Sequence, residues 1–225
     1  MRPELKFNSI VISLTSALVF SIWVGLNSII VKYPFLSVIL SGLISLGIYR
    51  FLAMLLLSMF RHIKVIKRFI LGPQYLQGTW AGFFIGHHQK VRLFVEVFEQ
   101  DLGRTVIRGR VYCEDGSFHG SWIADDASID PLRGKLTYNY QTDAIGNSFI
   151  NPGIATFDMQ RNAEHKPPVG LVGFSSDLFN PSKLLAFEDK VSEENLLDSR
   201  EGFRNAQAVY DKYKAHVQHY TNSRL

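Results

Sequence analysis

A single cysteine, Cys113, stands in 225 residues, so the chain has no intramolecular disulfide framework, which fits a reducing compartment. Proline and glycine are also sparse, at 8 and 17 residues, and that argues against a disordered chain. Acidic residues are nearly missing from the first part. Through Arg68 there are eight Lys/Arg against Glu4 alone, whereas the remainder carries sixteen basic and nineteen acidic residues, a net of −3. The basic pI therefore belongs to the N-terminal segment. The rest lacks the bulk positive field of a protein that coats DNA or RNA, so polymeric nucleic acid is not expected as a partner.

Recognisable catalytic patterns are missing as well. The chain has no Gly-rich phosphate loop, no nucleophile elbow and no paired catalytic acids at a known spacing. His87-His88 in a turn and His216 with His219 on one helix face bring no further ligands, so they read as solvated surface histidines and no metal site is expected. Cys113 has no nearby His or basic companion to activate it and reads as a small buried hydrophobe. These absences lead to the expectation of a protein that is not an enzyme and carries no cofactor.

What is present begins with two long apolar runs. Phe7 to Val31 contains no charged side chain in twenty-five residues, and at ~1.5 Å per residue this exceeds the ~30 Å hydrocarbon core of a bilayer. After Lys32, Tyr33 and Pro34 comes a second run, Phe35 to Phe60. Residues 1–68 thus read as a transmembrane hairpin with spans at about 7–31 and 35–60. The alternative of a cleaved signal peptide fails on the length of the first run and on the second span that succeeds it. Arg2 and Lys6 precede the hairpin, and Arg61, Lys64, Lys67 and Arg68 come directly after it. The positive-inside rule therefore places both ends of the hairpin, and the rest of the chain to its C-terminus, in the cytoplasm. The lipid bilayer is then a partner, and the later basic cluster serves as a stop-transfer flank or a contact for anionic head groups.

Small residues recur every fourth position in the first span: Ser9, Ser13, Ala17, Ser21 and Gly25. Ser37, Ser41 and Ser45 repeat this in the second. Such stripes let helix backbones approach closely, either within the hairpin or between protomers of a homo-oligomer, and both readings stand. Arg50 interrupts the second span, where it either snorkels towards the cytoplasmic side or lines a polar path in an assembly.

From Gly72-Pro73 onward the periodicity changes to that of strands. Eight strand-like stretches lie at roughly 75–86, 90–100, 104–113, 117–124, 133–141, 147–160, 168–178 and 183–191. Turn signals at Asp101-Leu-Gly103, Glu114-Asp-Gly116, Asp130-Pro131 and Asn180-Pro181 separate several of them. Residues 69–192 therefore read as an all-β domain: an eight-stranded antiparallel up-and-down barrel of lipocalin-like type, wide enough to be filled by side chains or to hold one small ligand. Val91, Leu93, Val95 and Val97 alternate with Arg92, Phe94, Glu96 and Phe98, and the aliphatic set is expected to face inward. Leu136, Tyr138 and Tyr140 give another strand an aromatic lumen face, and Leu171, Gly173, Ser175 and Asp177 turn polar towards the strand end. Mixed lining of this kind suits a ligand site, although tyrosines can also simply fill a core. Residues 193–225 read as a helical tail, with Asp198 and Glu201 as a capping box and a stripe of Phe203, Ala206, Val209, Tyr210, Tyr213, Val217 and Tyr220. It is expected to dock on the barrel or plug it.

Gly78-Thr79-Trp80 is similar to the G-x-W start of lipocalin-type barrels. Leu76-x-Gly78-Thr79-Trp80-x-Gly82 after two spans, Tyr138-x-Tyr140, Gly153-Ile-Ala155 and Gly173-Phe-Ser-Ser-Asp177 together resemble the CD-NTase-associated two-transmembrane β-barrel effectors of bacterial CBASS anti-phage defence. The resemblance spans residues 7 to about 192 and leaves the tail outside. It implies that a cyclic dinucleotide made by a partner CD-NTase enters the barrel, that the effector oligomerises through its membrane helices, and that the bacterial inner membrane then loses integrity, killing the infected cell. On that reading the ligand-binding candidates are Trp80, Arg110, Tyr138, Tyr140 and Ser175, with Arg92 and Arg108 as further cations. Alternation, however, turns Arg108 and Arg110 to solvent. Ser13, Ala17, Ser21, Gly25, Ser41, Ser45 and Arg50 are the candidates for assembly. A membrane-tethered carrier of an apolar ligand and a non-catalytic scaffold are the rival readings.

Overall fold

The computed structural model describes residues 2–26, 31–86, 90–145, 150–179, 181–198 and 200–222, with side chains of the last segment up to residue 215. The chain divides into two compact units, residues 1–72 and 73–225.

In the first unit, α1 (Pro3–Gly25) and α2 (Pro34–His62) are both long and apolar enough to cross a membrane. Each starts on a proline, whose missing N–H costs nothing in a first turn. A short amphipathic helix, α3 (Lys64–Leu71), comes next and stops at Gly72, whose φ of +55° only glycine adopts without strain. α1 packs against α2 and α3, and its buried residues are Pro3, Phe7, Val11 and Thr15. The stripe of Ser9, Ser13, Ala17, Ser21 and Gly25 lies instead on the exposed face. On α2 the corresponding Ser37, Ser41 and Ser45 are all half-buried, and Arg50 is exposed. The two stripes therefore do not pack on each other. Ser21 and Ser45 donate their hydroxyls to the carbonyls of Ala17 and Ser41, at 2.9 and 2.7 Å, which satisfies them without a neighbouring helix.

The second unit is a closed antiparallel meander. Its strands are β1 (Gly78–Ile85), β2 (Val91–Gln100), β3 (Thr105–Tyr112), β4 (Phe118–Ala124), β5 (Ala127–Asp130), β6 (Lys135–Ala144), β7 (Asn151–Gln160), β8 (Gly170–Asp177) and β9 (Leu184–Ser192). β1 pairs with both β2 and β9, and β4 pairs with β6, so eight strands close the barrel. Four-residue β5 is the strand that alternation did not reveal. It takes up residues 135–138 of β6, while β4 occupies 141–144, so the two act as one bent strand.

The faces of β2 are the reverse of the sequence expectation. Arg92 and Phe94 line the lumen, Phe98 sits in the barrel core, and Val91, Leu93, Val95 and Val97 point outward. They are buried all the same, because α4 (Arg200–Asn222) lies across β1, β2 and β9 on the outside. Phe203, Ala206, Val209, Tyr210 and Tyr213 of α4 cover Ala81, Phe83 and the β2 valines. Phe83 meets Tyr210 edge-to-face at 5.0 Å and stacks on Phe187 at 5.3 Å. A strand with both faces buried against apolar groups carries no mark of which face is the lumen. The side chains of Val217 and Tyr220 lie outside the described residues. The carboxylate of Asp198, expected in a capping box, pairs with Arg110 at 2.7 Å.

Candidate ligand cavity

One end of the barrel is plugged. Leu76, Trp80, Phe98, Ile107, Leu136 and Leu171 meet there, all fully buried. Trp80 donates its indole N–H to the Leu76 carbonyl at 2.7 Å and packs edge-to-face on Phe98. Gly78 precedes it at φ +120°, and a Cβ there would stand 2.3 Å from the Ser192 carbonyl oxygen. The Gly-Thr-Trp sequence thus builds the barrel's floor. Trp80, expected to touch ligand, is a core residue and does not line the cavity.

Towards the other end the lumen opens into a cavity of about 580 Å³, within the usual range for small-molecule sites. Phe84, Phe94, Trp122, Tyr138, Tyr140 and Phe157 form its aromatic wall. Glycines make this space: a Cβ on Gly153 would lie 2.3 Å from the Tyr140 ring, and one on Gly82 would lie 2.9 Å from Cγ of Glu188. Tyr138, Tyr140 and Ser175 line the cavity as the sequence suggested.

Its charges are unevenly placed. Lys90 and Arg92 line it where β2 begins, beside His119 of β4. Burial and the neighbouring Arg92 guanidinium push the His119 pKa down, favouring the neutral imidazole. Asp177 accepts the Tyr140 hydroxyl at 2.8 Å. Burial and the same carboxylate push the phenol of Tyr140 far up, fixing it as a hydrogen-bond donor. Deeper in, Glu188 of β9 lines the cavity and Glu96 of β2 lies beside it, at 1% and 0% exposure. Tyr138 donates its hydroxyl to Glu96 Oε2 at 3.2 Å. Burial raises the pKa of both carboxyls, and in Glu188 the neighbouring Glu96 raises it further. Two carboxylates in a dry site cannot both be charged, and a proton held between them replaces repulsion by a hydrogen bond.

Arg110, the favoured cation of the sequence reading, is outside the barrel, paired with Asp198 and next to Phe118. Arg108 is outside as well, paired with Glu99. Of the three arginines only Arg92 reaches the cavity. Sequence reasoning passed over Lys90, Trp122, Asn151, Glu96 and Glu188. The missed signal was that Arg92, Phe94 and Glu96 share one face, and that the apolar stripe of α4 needs an aliphatic surface outside the barrel. His87 and His88, and the side chains of His216 and His219, lie outside the described residues. Among the described residues no group of three metal-ligating side chains occurs.

No family model and no curated protein matches the chain. Among solved structures, it is similar to a redesigned beta barrel, mFAP1, bound to DFHBI, at 15% identity and a TM-score of 0.41, covering 53% of this chain and 98% of that one. A de novo designed fluorescence-activating beta barrel matches at 13% identity and a TM-score of 0.33, covering 52% and 94%.

Proposed function

We propose that the protein is a membrane-tethered receptor for a cyclic dinucleotide, working as the CBASS effectors it resembles in sequence do. The observation that carries this reading is the composition of the cavity: aromatic walls for stacking bases, with Lys90 and Arg92 on one side for phosphate. Oδ1 of Asn151 and the Glu188 carboxyl oxygens meet no donor among the described residues, and an apolar cargo would leave them so, at roughly 1 to 3 kcal/mol each, which weighs against the carrier reading. The open volume weighs against a barrel filled only by its own side chains.

On this reading the hairpin sits in the bacterial inner membrane with both termini in the cytoplasm. Ligand favours a state in which hairpins of several protomers meet, and membrane integrity is lost. A ligand drives such a change only through different affinities for the two states. The test is a thermal-shift series on the full chain in detergent with cyclic di-GMP, cyclic di-AMP, cyclic GMP-AMP and cyclic di-UMP. A saturable rise in melting temperature with at least one of them is expected. No shift with any, together with stabilisation by a fatty acid, would replace this reading by the carrier.

A further inference from the structure

The deep end of the cavity holds carboxyl oxygens that no donor among the described residues satisfies. Both oxygens of Glu188 and Oε1 of Glu96 meet no donor among the described residues, apart from any proton the two carboxyls hold between them; Oδ1 of Asn151 meets none either, but it lies at the open end, where β7 begins. Glu188 is 1% exposed and Asn151 8%, and both line the cavity. Leaving buried acceptors unpaired costs free energy, and the backbone makes space for this one: β1 puts Gly82 opposite Glu188, where any Cβ would press on the carboxyl side chain. Glu96, by contrast, is held across the lumen by the Tyr138 hydroxyl and the Trp122 indole. The pair is asymmetric. Glu96 is anchored, while Glu188 presents an acceptor to the lumen.

We propose that Glu188, backed by Glu96, is the deep anchor of the ligand, accepting a hydrogen bond from the exocyclic amino group of a nucleobase. This rests on the cyclic-dinucleotide reading and narrows it to rings bearing guanine, adenine or cytosine. Uracil has no amino group: its one donor, the ring N3–H, is flanked by two carbonyls that would face the carboxyl acceptors. The geometry separates two tasks along the cavity: the cations of Lys90 and Arg92 take the phosphate, and the carboxyl pair reads the base. When Glu188 holds the shared proton it donates to Glu96 and keeps its carbonyl oxygen for the ligand. When that proton is lost, the pair gains a second negative charge facing an anionic ligand, so affinity falls as pH rises.

The test is equilibrium binding of cyclic di-GMP, cyclic di-AMP and cyclic di-UMP to the full chain in detergent, for the wild type, Glu188→Leu and Glu188→Gln. The wild type should bind an amino-bearing ring at least about tenfold more tightly than cyclic di-UMP. Glu188→Leu should erase that preference. Glu188→Gln copies the protonated acid, donating its amide to Glu96 and accepting through its carbonyl, so it should keep the preference and lose the pH dependence. Tighter binding of cyclic di-UMP by the wild type, a comparison that needs no variant, overturns the assignment. So does an unchanged preference in a folded Glu188→Leu. In both of those cases a ring is bound and the receptor reading survives. If no ring binds the wild type, the receptor reading itself fails and the assignment falls with it.

Discussion

Tyr138 on β6 donates its hydroxyl to Glu96 on β2, bridging strands that are three apart around the barrel. Both residues are buried, so the bond ties opposite walls of the lumen in a dry setting where an unpaired acceptor is costly. Tyr138→Phe should lower the unfolding free energy by roughly 1 to 3 kcal/mol without changing the fold. Chemical denaturation of the full chain, with far-UV circular dichroism as the check on fold, measures this.

The carboxyl pair gives stability a pH dependence of definite sign. Both carboxyls have pKa values raised on folding, so their contribution is fully present below the ordinary glutamate range and is lost as pH rises through the raised values. Glu188→Gln removes one of the two titrations. Its stability relative to wild type should therefore increase from acidic to alkaline pH, as read from melting temperatures across that range. A gap between the two proteins that stays constant with pH would show that the pair does not titrate.

Much of the barrel was legible because the strands alternate and are punctuated by short turns. Eight strands, their antiparallel meander and the terminal helix emerge from that pattern. What alternation leaves open is which face looks inward. On β6 the answer was given by chemistry, since Leu136, Tyr138 and Tyr140 oppose Lys135, Thr137 and Asn139. On β2 chemistry misled: the face carrying Arg92 and Glu96 is the lumen, and the purely aliphatic face is roofed by α4. Glu96 was hidden because a lone carboxylate in a strand reads as solvent-facing, and its partner Glu188 is 92 residues away in the chain. On Arg110 the alternation alone pointed outward, and the structure places the side chain there.

The two arginines separate the cavity from the surface. Arg92→Ala should weaken cyclic-dinucleotide binding by roughly tenfold or more, the scale of a charge-assisted hydrogen bond. Arg110→Ala should leave affinity unchanged and cost less than about 1 kcal/mol of stability, because its bridge to Asp198 is largely exposed. Isothermal titration calorimetry on both variants decides between them. Equal losses would place the ligand outside the lumen.

Because the α1 stripe faces away from the rest of its unit, bulk placed there should spare the hairpin. A Ser13→Leu, Ala17→Leu double variant should insert and bind ligand like wild type but fail to form ligand-dependent oligomers. Cross-linking in membranes before and after ligand addition measures assembly, and toxicity in cells measures output. A variant that expresses well and still assembles and kills would show that this face is not the contact between protomers.

The central claim is that ligand sits in the lumen, and the three tryptophans of the chain can report on it. Trp122 lines the cavity, Trp80 plugs the closed end and Trp23 belongs to α1. With 5-fluorotryptophan in the full chain, fluorine NMR gives a resonance for each, assigned through single Trp→Phe replacements. Saturation with a cyclic dinucleotide shown to bind should displace the Trp122 resonance and leave that of Trp80 in place. A bound ligand that leaves Trp122 unmoved would contradict the account.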